Sequence, residues 1–426
     1  MQEEFFSTSL QETYKMKNQD FTRSRKQSFS NTLLLMINFL TKSLSLEIEN
    51  FVRYLKRDIS TAVPFTKSAF VQCRKKISPE VFRHLSRLLV NEFYTDNSGV
   101  ELLKGFRVLA VDGSRVTLPV TQELENYYGK TTNQTNTYVI QAKVSVLYDV
   151  LNNLALDGVF SNVSIGEREM ALGHLEHCKT GDLLIYDRGY PSFNFILEHH
   201  QRGLDYLMRV KTDFSGVTKS FLERGEKSEV LEIHPGKNTK PYVKVNQKQP
   251  SLKVRMIRIE LPNGQTELLI TSLLEDQKYT PIFFKELYFK RWKIETFYDE
   301  LKNKLKIEHF SGYSHQSILQ DFFAALFISN VQTIIIADLA EEIKANNLNK
   351  QYDYKINTNL SYGFMKDRII SLFLKKQNIQ QVIEELKELF KNHLVPIRLN
   401  RSNKRNIGKY RNRTKPKVLK NQKDAL

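Results

Sequence analysis

The stretch Asp182-Leu-Leu-Ile-Tyr-Asp187-Arg-Gly-Tyr190 decides the fold. Its apolar run is too short for a helix and has the character of a buried strand, while Arg188-Gly189-Tyr190 reads as a turn. Working outward, Pro191 to Gln201 reads as a helix and Asp205 to Val210 as a second strand. Upstream, Arg107 to Val111, Thr137 to Tyr148 and Leu154 to Val163 are short β-rich runs, and Gly166 to Cys178 reads as a helix. Three successive strands followed by alternating helix and strand predict an α/β (α+β) domain, with a mixed sheet covered by helices.

Two acids stand at informative places in this pattern. Asp112 follows Val108-Leu-Ala-Val111 and precedes Gly113-Ser114, so a strand is expected to deliver its carboxylate to an edge where the chain turns. Asp187 ends Leu183 to Tyr186 and precedes the next turn. Taken singly, either is equally well read as an ordinary turn residue. After Lys211 the chain becomes more polar and is broken by Gly216, Gly225, Pro235, Gly236, Pro241, Pro250, Pro262 and Gly264, which predicts an antiparallel β insertion at about 212–266. Leu268 to Leu274 then restores a strand.

Downstream lies Tyr288-Phe-Lys-Arg291-Trp-Lys-Ile-Glu295-Thr-Phe-Tyr-Asp-Glu-Leu-Lys302, which reads as part of one long helix capped by Thr280 with Pro281 in its first turn. At ~100° per residue, Tyr288, Arg291, Glu295 and Lys302 fall within an arc of roughly 60°. Phe283, Leu287, Ile294, Tyr298, Leu301 and Leu305 occupy the adjoining arc, so the four polar residues sit where the buried face meets the surface. Helical pairing of Arg291 with Glu295 accounts for part of this pattern without any function.

The chain ends are of a different kind. The first hundred residues read as helical, through Asn31 to Leu55 and Ser78 to Tyr94. Between them, Pro64 to Ile77 fits the second helix of a helix-turn-helix that offers Lys67, Arg74, Lys75 and Lys76 to a duplex; a generic basic surface helix fits the same letters. Beyond Lys302 the chain returns to helices at Ile318 to Lys344, Tyr362 to Lys375 and Ile379 to Phe390. Residues 398–426 form a basic tail in which Asp424 is the only acid, expected to be disordered until it meets a polyanion. The expected segments are thus a helical region over 1–100, a mixed-sheet domain over 101–310, a helical region over 311–397 and the tail.

A net charge of +17 over 426 residues points to a polyanionic partner, and 41% hydrophobic content is enough for a sizeable core. Cys73 and Cys178 are far apart and lack metal-site spacing, which argues against a zinc module or a disulfide framework and for a reducing, cytoplasmic setting. The start lacks the basic region of a signal peptide. Leu33 to Leu40 is too short to span a bilayer, and Phe322 to Ala337 is interrupted by polar residues, so it reads as a buried helix with no membrane partner expected. No internal repeat or Gly-rich nucleotide loop is present.

The spacing Tyr288-x2-Arg291-x3-Glu295-x6-Lys302, preceded by Asp112 and Asp187 at strand ends, resembles the signature of bacterial insertion-sequence transposases of the insertion-sequence-four (IS-four) family. The resemblance runs most clearly from about Arg107 to Lys302. It implies a ribonuclease-H-like catalytic core of the DDE class interrupted by a β insertion. It also implies a cut-and-paste DNA transposase that binds terminal inverted repeats, then cleaves DNA and transfers the strand. Asp112, Asp187 and Glu295 would be the catalytic metal ligands. Their hard oxygens suit Mg²⁺, with Mn²⁺ as substitute, and two ions about 4 Å apart would serve an in-line attack on a phosphodiester. Tyr288, Arg291 and Lys302 would hold DNA, and subunits would pair as a homodimer on two DNA ends. A catalytically inactive copy that still binds DNA, and a ribonuclease-H-like nuclease without strand transfer, are the competing readings. Some members stack a flipped base on a Trp just before the strand preceding the glutamate helix; here that place is Glu267, and Trp292 lies on the helix instead.

Overall fold

The computed structural model describes residues 1–398 apart from 24–25, 41, 59–63, 97–98, 133–137, 237–250, 262–263, 348–349 and 375–377. The basic tail from residue 399 onward lies outside the described residues, as does part of the predicted insertion. After two short helices, Gln2–Phe5 and Thr8–Tyr14, come the helices α1 (Phe29–Ile37), α2 (Leu44–Asp58), α3 (Lys67–Arg74) and α4 (Glu80–Asp96). Strands β1 (Arg107–Leu118), β2 (Tyr138–Asp149) and β3 (Leu154–Asn162) come next. Helix α5 (Glu167–His174), β4 (Asp182–Tyr186), α6 (Phe193–Arg202) and β5 (Asp205–Val210) then alternate. After α7 (Gly216–Arg224) run β6 (Ser228–Ile233), β7 (Leu252–Glu260) and β8 (Thr266–Thr271). Helices α8 (Pro281–Phe289), α9 (Trp292–Asp299), α10 (His315–Ala337) and α11 (Ile379–Lys391) follow, with shorter helices between.

By contacts the chain divides into two compact units. One comprises residues 98–114 and 143–298, and the other comprises residues up to 97, 115–142 and from 299 onward. The first unit is the sheet unit. Its strands run in the order β2-β1-β4-β5-β8-β7-β6, with β3 against β2. Both β1 with β4 and β4 with β5 are parallel, whereas β5 with β8, β8 with β7 and β7 with β6 are antiparallel. The order β3-β2-β1-β4-β5 is the ribonuclease-H-like mixed sheet. Every residue of β4 is buried, as a central strand covered on both faces requires, and its one charge, Asp182, is held by the Arg107 guanidinium through bonds of 2.8 and 2.6 Å. The connection between β4 and β5 is α6, started by the Ser192 hydroxyl accepting the Phe195 N–H and ended by Gly203 in a left-handed conformation.

The segment predicted as an antiparallel β insertion contains helix α7 as well as its antiparallel strands β6 and β7. These strands extend the central sheet, because β8 pairs along the free edge of β5. Two expectations need correction here. Strand β1 does not turn after Asp112 but continues through Gly113 and Ser114 to Leu118; what stops is its pairing with β4, at Ala110. The predicted long helix is broken. Between α8 and α9 the N–H groups of Arg291, Lys293 and Ile294 bond to carbonyls three residues back, so the chain tightens at Lys290 and Arg291 without any Gly or Pro to announce it. After α9 the turn widens into a π segment, Glu300–Lys304.

The second unit is mainly helical. Helix α10 is long and apolar enough to cross a membrane by length and composition, and 78% of its most apolar window is buried inside the protein, largely against α4. Its buried Asn330 amide donates to the Ser86 hydroxyl at 2.9 Å, which satisfies a polar group that apolar packing would strand. Arg74, offered above to a duplex, is only 3% exposed. Its fork is spent on Gln320, Ser311, the Ser317 carbonyl and Asp321, at 2.7 to 3.2 Å. On α3, Arg74 therefore locks α10 and has nothing left for DNA. Lys76 leans on Asp20, 3.7 Å away.

Candidate active site

In the sheet unit the parallel register pairs Arg107 with Asp182 and Ala110 with Ile185. Carried two residues further, it brings Asp112 level with Asp187. Both acids then stand where the paired part of the sheet ends, on the side of the strands' carboxyl ends, the usual place of ligand sites in open α/β sheets. The Asp112 backbone is fixed from behind. Its carbonyl accepts the Tyr298 hydroxyl at 2.7 Å and lies 3.3 Å from the Ser145 hydroxyl, while its own carboxylate accepts the Gly113 N–H at 2.9 Å. Ser145 in turn lies 3.0 Å from His174 Nε2, and His174 Nδ1 donates to Asp157 at 2.8 Å. That Ser-His-Asp string is wholly buried, so it braces the strand and meets no substrate.

Asp187 is held by the Tyr288 hydroxyl, which donates at 3.3 Å, and by Arg209 at 3.9 Å; Arg209 also grips Glu267 at 3.1 Å. The place where some family members have a stacking Trp is thus an ion-pair partner in this chain. On α9 and the turn before it, Arg291 Nη2 donates to Glu295 at 2.7 Å. The Arg291 side chain is nearly buried, its Nε has no hydrogen-bond partner, and its guanidinium lies 5.0 Å from the half-exposed Trp292 ring. Lys302 belongs to the other unit, where its ammonium donates to the Arg115 carbonyl at 2.7 Å.

Electrostatics tie the acids together. Burial raises the Asp112 carboxyl to about 6, and the charges of Glu295 and Glu167 push in the same direction, against the Gly113 N–H and Arg291. Glu167 had no marker in the sequence reading. It lies beside Asp112 because residue 113 is glycine: a Cβ there would come within 3.3 Å of Glu167 Cγ. Tyr190, buried and with no partner for its hydroxyl, feels Asp112, Glu167 and Asp187, and burial pushes its pKa far up. Arg209 was readable in principle, as the one cation in the apolar run of β5. Glu167 was not, since only tertiary packing brings it to Gly113.

The structure therefore brings Glu295 and Glu167 into the field of Asp112, and Asp187 together with Tyr288. The acids offer oxygens only, the set preferred by hard divalent cations, and the Tyr190 hydroxyl in their field has no partner, so the residues present fit such an ion. Among the described residues no three His, Cys, Asp or Glu side chains are gathered into a complete metal site. Arg291 and Arg209 balance part of the negative charge of Glu295, Asp187 and Glu267.

Among known proteins, the transposase of insertion sequence IS4 from Escherichia coli K12 (InsG) is 22% identical over 288 residues, covering 65% of this chain and 62% of that protein. The transposase of IS231F from Bacillus thuringiensis subsp. israelensis is 22% identical over 367 residues, covering 74% of this chain and 73% of that protein. Among solved structures, a piggyBac transposase in a synaptic complex with hairpin DNA aligns with a TM-score of 0.44 at 9% identity, over 91% of this chain and 79% of that one. The transposase DDE domain matches residues 103–331, more than half of the chain and the span that carries Asp112, Asp187 and Glu295, and the chain belongs to that family.

Proposed function

We propose that the protein is a DNA transposase that binds the inverted repeats at the ends of an insertion sequence and carries out divalent-metal-dependent strand cleavage and strand transfer. The observation that carries this reading is the parallel register of β1 with β4, whose last pair, Ala110 with Ile185, stands two residues before Asp112 and Asp187, with Glu295 in the field of Asp112. Asp112, Asp187 and Glu295 would hold the cation, Mg²⁺ or in its place Mn²⁺, which supplies Lewis acidity at the phosphodiester. Tyr288 keeps the Asp187 carboxylate in place by its hydrogen bond, and Arg291 would turn part of its fork from Glu295 to a DNA phosphate. Lys302, on the same run of chain, would take a further phosphate. The protein would work as a homodimer on paired ends, in which each subunit cuts one of them.

The test is incubation of the purified protein with a duplex carrying the inverted repeat that flanks its gene, with Mg²⁺ or with chelator. Cleavage at the repeat end and joining to a second duplex, both only with metal, are expected. Cleavage without joining would assign a nuclease, and binding of the repeat with no cleavage under any divalent metal would assign an inactive DNA-binding protein.

A further inference from the structure

A second basic feature lies in the sheet unit, apart from the acids. Arg168, Arg188, Gly189, Pro191, Lys211, Asp213 and Phe214 line a pocket of about 660 Å³. Three cations face a single acid there. Arg188 is the second residue past β4, and Lys211 the first past β5, so the pocket opens beyond the carboxyl ends of the two parallel strands, as the acid site does. Neither Arg188 nor Lys211 has an ion-pair partner among the described residues. Arg168 spends only its Nε, on the Gly189 carbonyl at 3.1 Å, which leaves its terminal nitrogens available. By contrast, the cations closest to the acids are engaged: Arg209 by Asp187 and Glu267, Arg291 by Glu295.

We propose that this pocket is a phosphate-holding subsite for the DNA backbone, on the strand that continues past Asp187, separate from the contacts of Tyr288 and Arg291. Three cations without ion-pair partners around one pocket repel each other, and an anion relieves that repulsion. Two guanidinium forks suit the oxygens of a phosphodiester, and the ring of Phe214 gives an adjoining sugar an apolar surface. The link to the acids is covalent and short, since Asp187 and Arg188 are consecutive. A phosphate held by Arg188 would thus fix how far the DNA advances towards Asp187. The inference rests on the reading as a DNA-cutting enzyme and adds a contact to it.

The experiment compares full-length wild type with the double variant Arg188→Gln/Lys211→Gln in titrations of an end-bearing duplex at several salt concentrations. Both side chains are exposed, so the variant is expected to unfold at the wild-type temperature. Loss of the subsite should lower the slope of log affinity against log salt by about 1 to 2. It should also narrow the fall in affinity between about 50 and 200 mM salt by roughly four- to sixteenfold. A double variant that keeps the wild-type slope, while wild type binds and cuts, would overturn the subsite and leave the proposed function standing. A wild-type protein that neither binds nor cuts duplex DNA would overturn both.

Discussion

Glu295→Gln is expected to leave the protein folded and bound to DNA while slowing strand cleavage by about a thousandfold, the loss typical of removing one electrostatic support from a transition state. Glutamine keeps the shape and can still accept the bond that Arg291 Nη2 gives to Glu295 Oε1, so the junction between α8 and α9 survives. What disappears is the negative charge, and with it a hard oxygen ligand. If the pair were only a helical ion pair, its loss would cost about 0.5 kcal/mol of stability and leave the chemistry alone. Cleavage rate and duplex affinity, measured on the same preparation, separate the two. A variant that cuts at the wild-type rate removes Glu295 from the site.

Asp112→Asn is expected to abolish cleavage and yet make the metal-free protein more stable. Burial and the charges of Glu295 and Glu167 raise the Asp112 carboxyl from 3.8 to about 6. A raised acid favours folding only while it carries its proton: its contribution is complete below pH 3.8 and is lost as pH rises through 6. At about 1.4 kcal/mol per unit, the charged carboxylate costs the empty fold on the order of 3 kcal/mol at neutral pH. Asparagine does not ionise, and its side-chain oxygen can still accept the Gly113 N–H. Denaturant unfolding in the presence of chelator should therefore show the variant equal to wild type near pH 4, with the gap opening towards pH 6 and full above pH 7. A gap that is the same at every pH would mean that the charge on Asp112 is not what the fold works against. A site that destabilises its own fold until a ligand arrives is a common compromise between stability and activity.

The sequence was most legible where burial leaves no choice. Asp182–Tyr186 and Asp205–Val210 have the bounds the apolar runs suggest, because a central parallel strand is apolar on both faces. Thr280 announces its helix because an N-cap must satisfy free N–H groups. Local letters misled where tertiary pairing decides. Gly113-Ser114 is composed like a turn, yet it is held extended in β1, where the glycine makes room for Glu167. Arg74 reads as a surface cation, but four partners from the distant segment 311–321 bury it. The break at Lys290 and Arg291 carries no breaker residue at all. Of the acids gathered at the candidate site, Asp112, Asp187 and Glu295 stood out in the sequence only through the resemblance to the transposase signature. Glu167 was not, because its place depends on a contact between segments more than fifty residues apart.

The central claim is that these carboxylates hold a divalent cation for cutting DNA, and it is tested most directly by calorimetric titration of Mn²⁺ into the protein bound to an end-bearing duplex at pH 7.5. The titration is repeated with Asp112→Asn and with Asp187→Asn. The account predicts saturable binding in wild type that is weakened at least tenfold in each variant, with duplex affinity unchanged. Equal Mn²⁺ binding by all three proteins would contradict it.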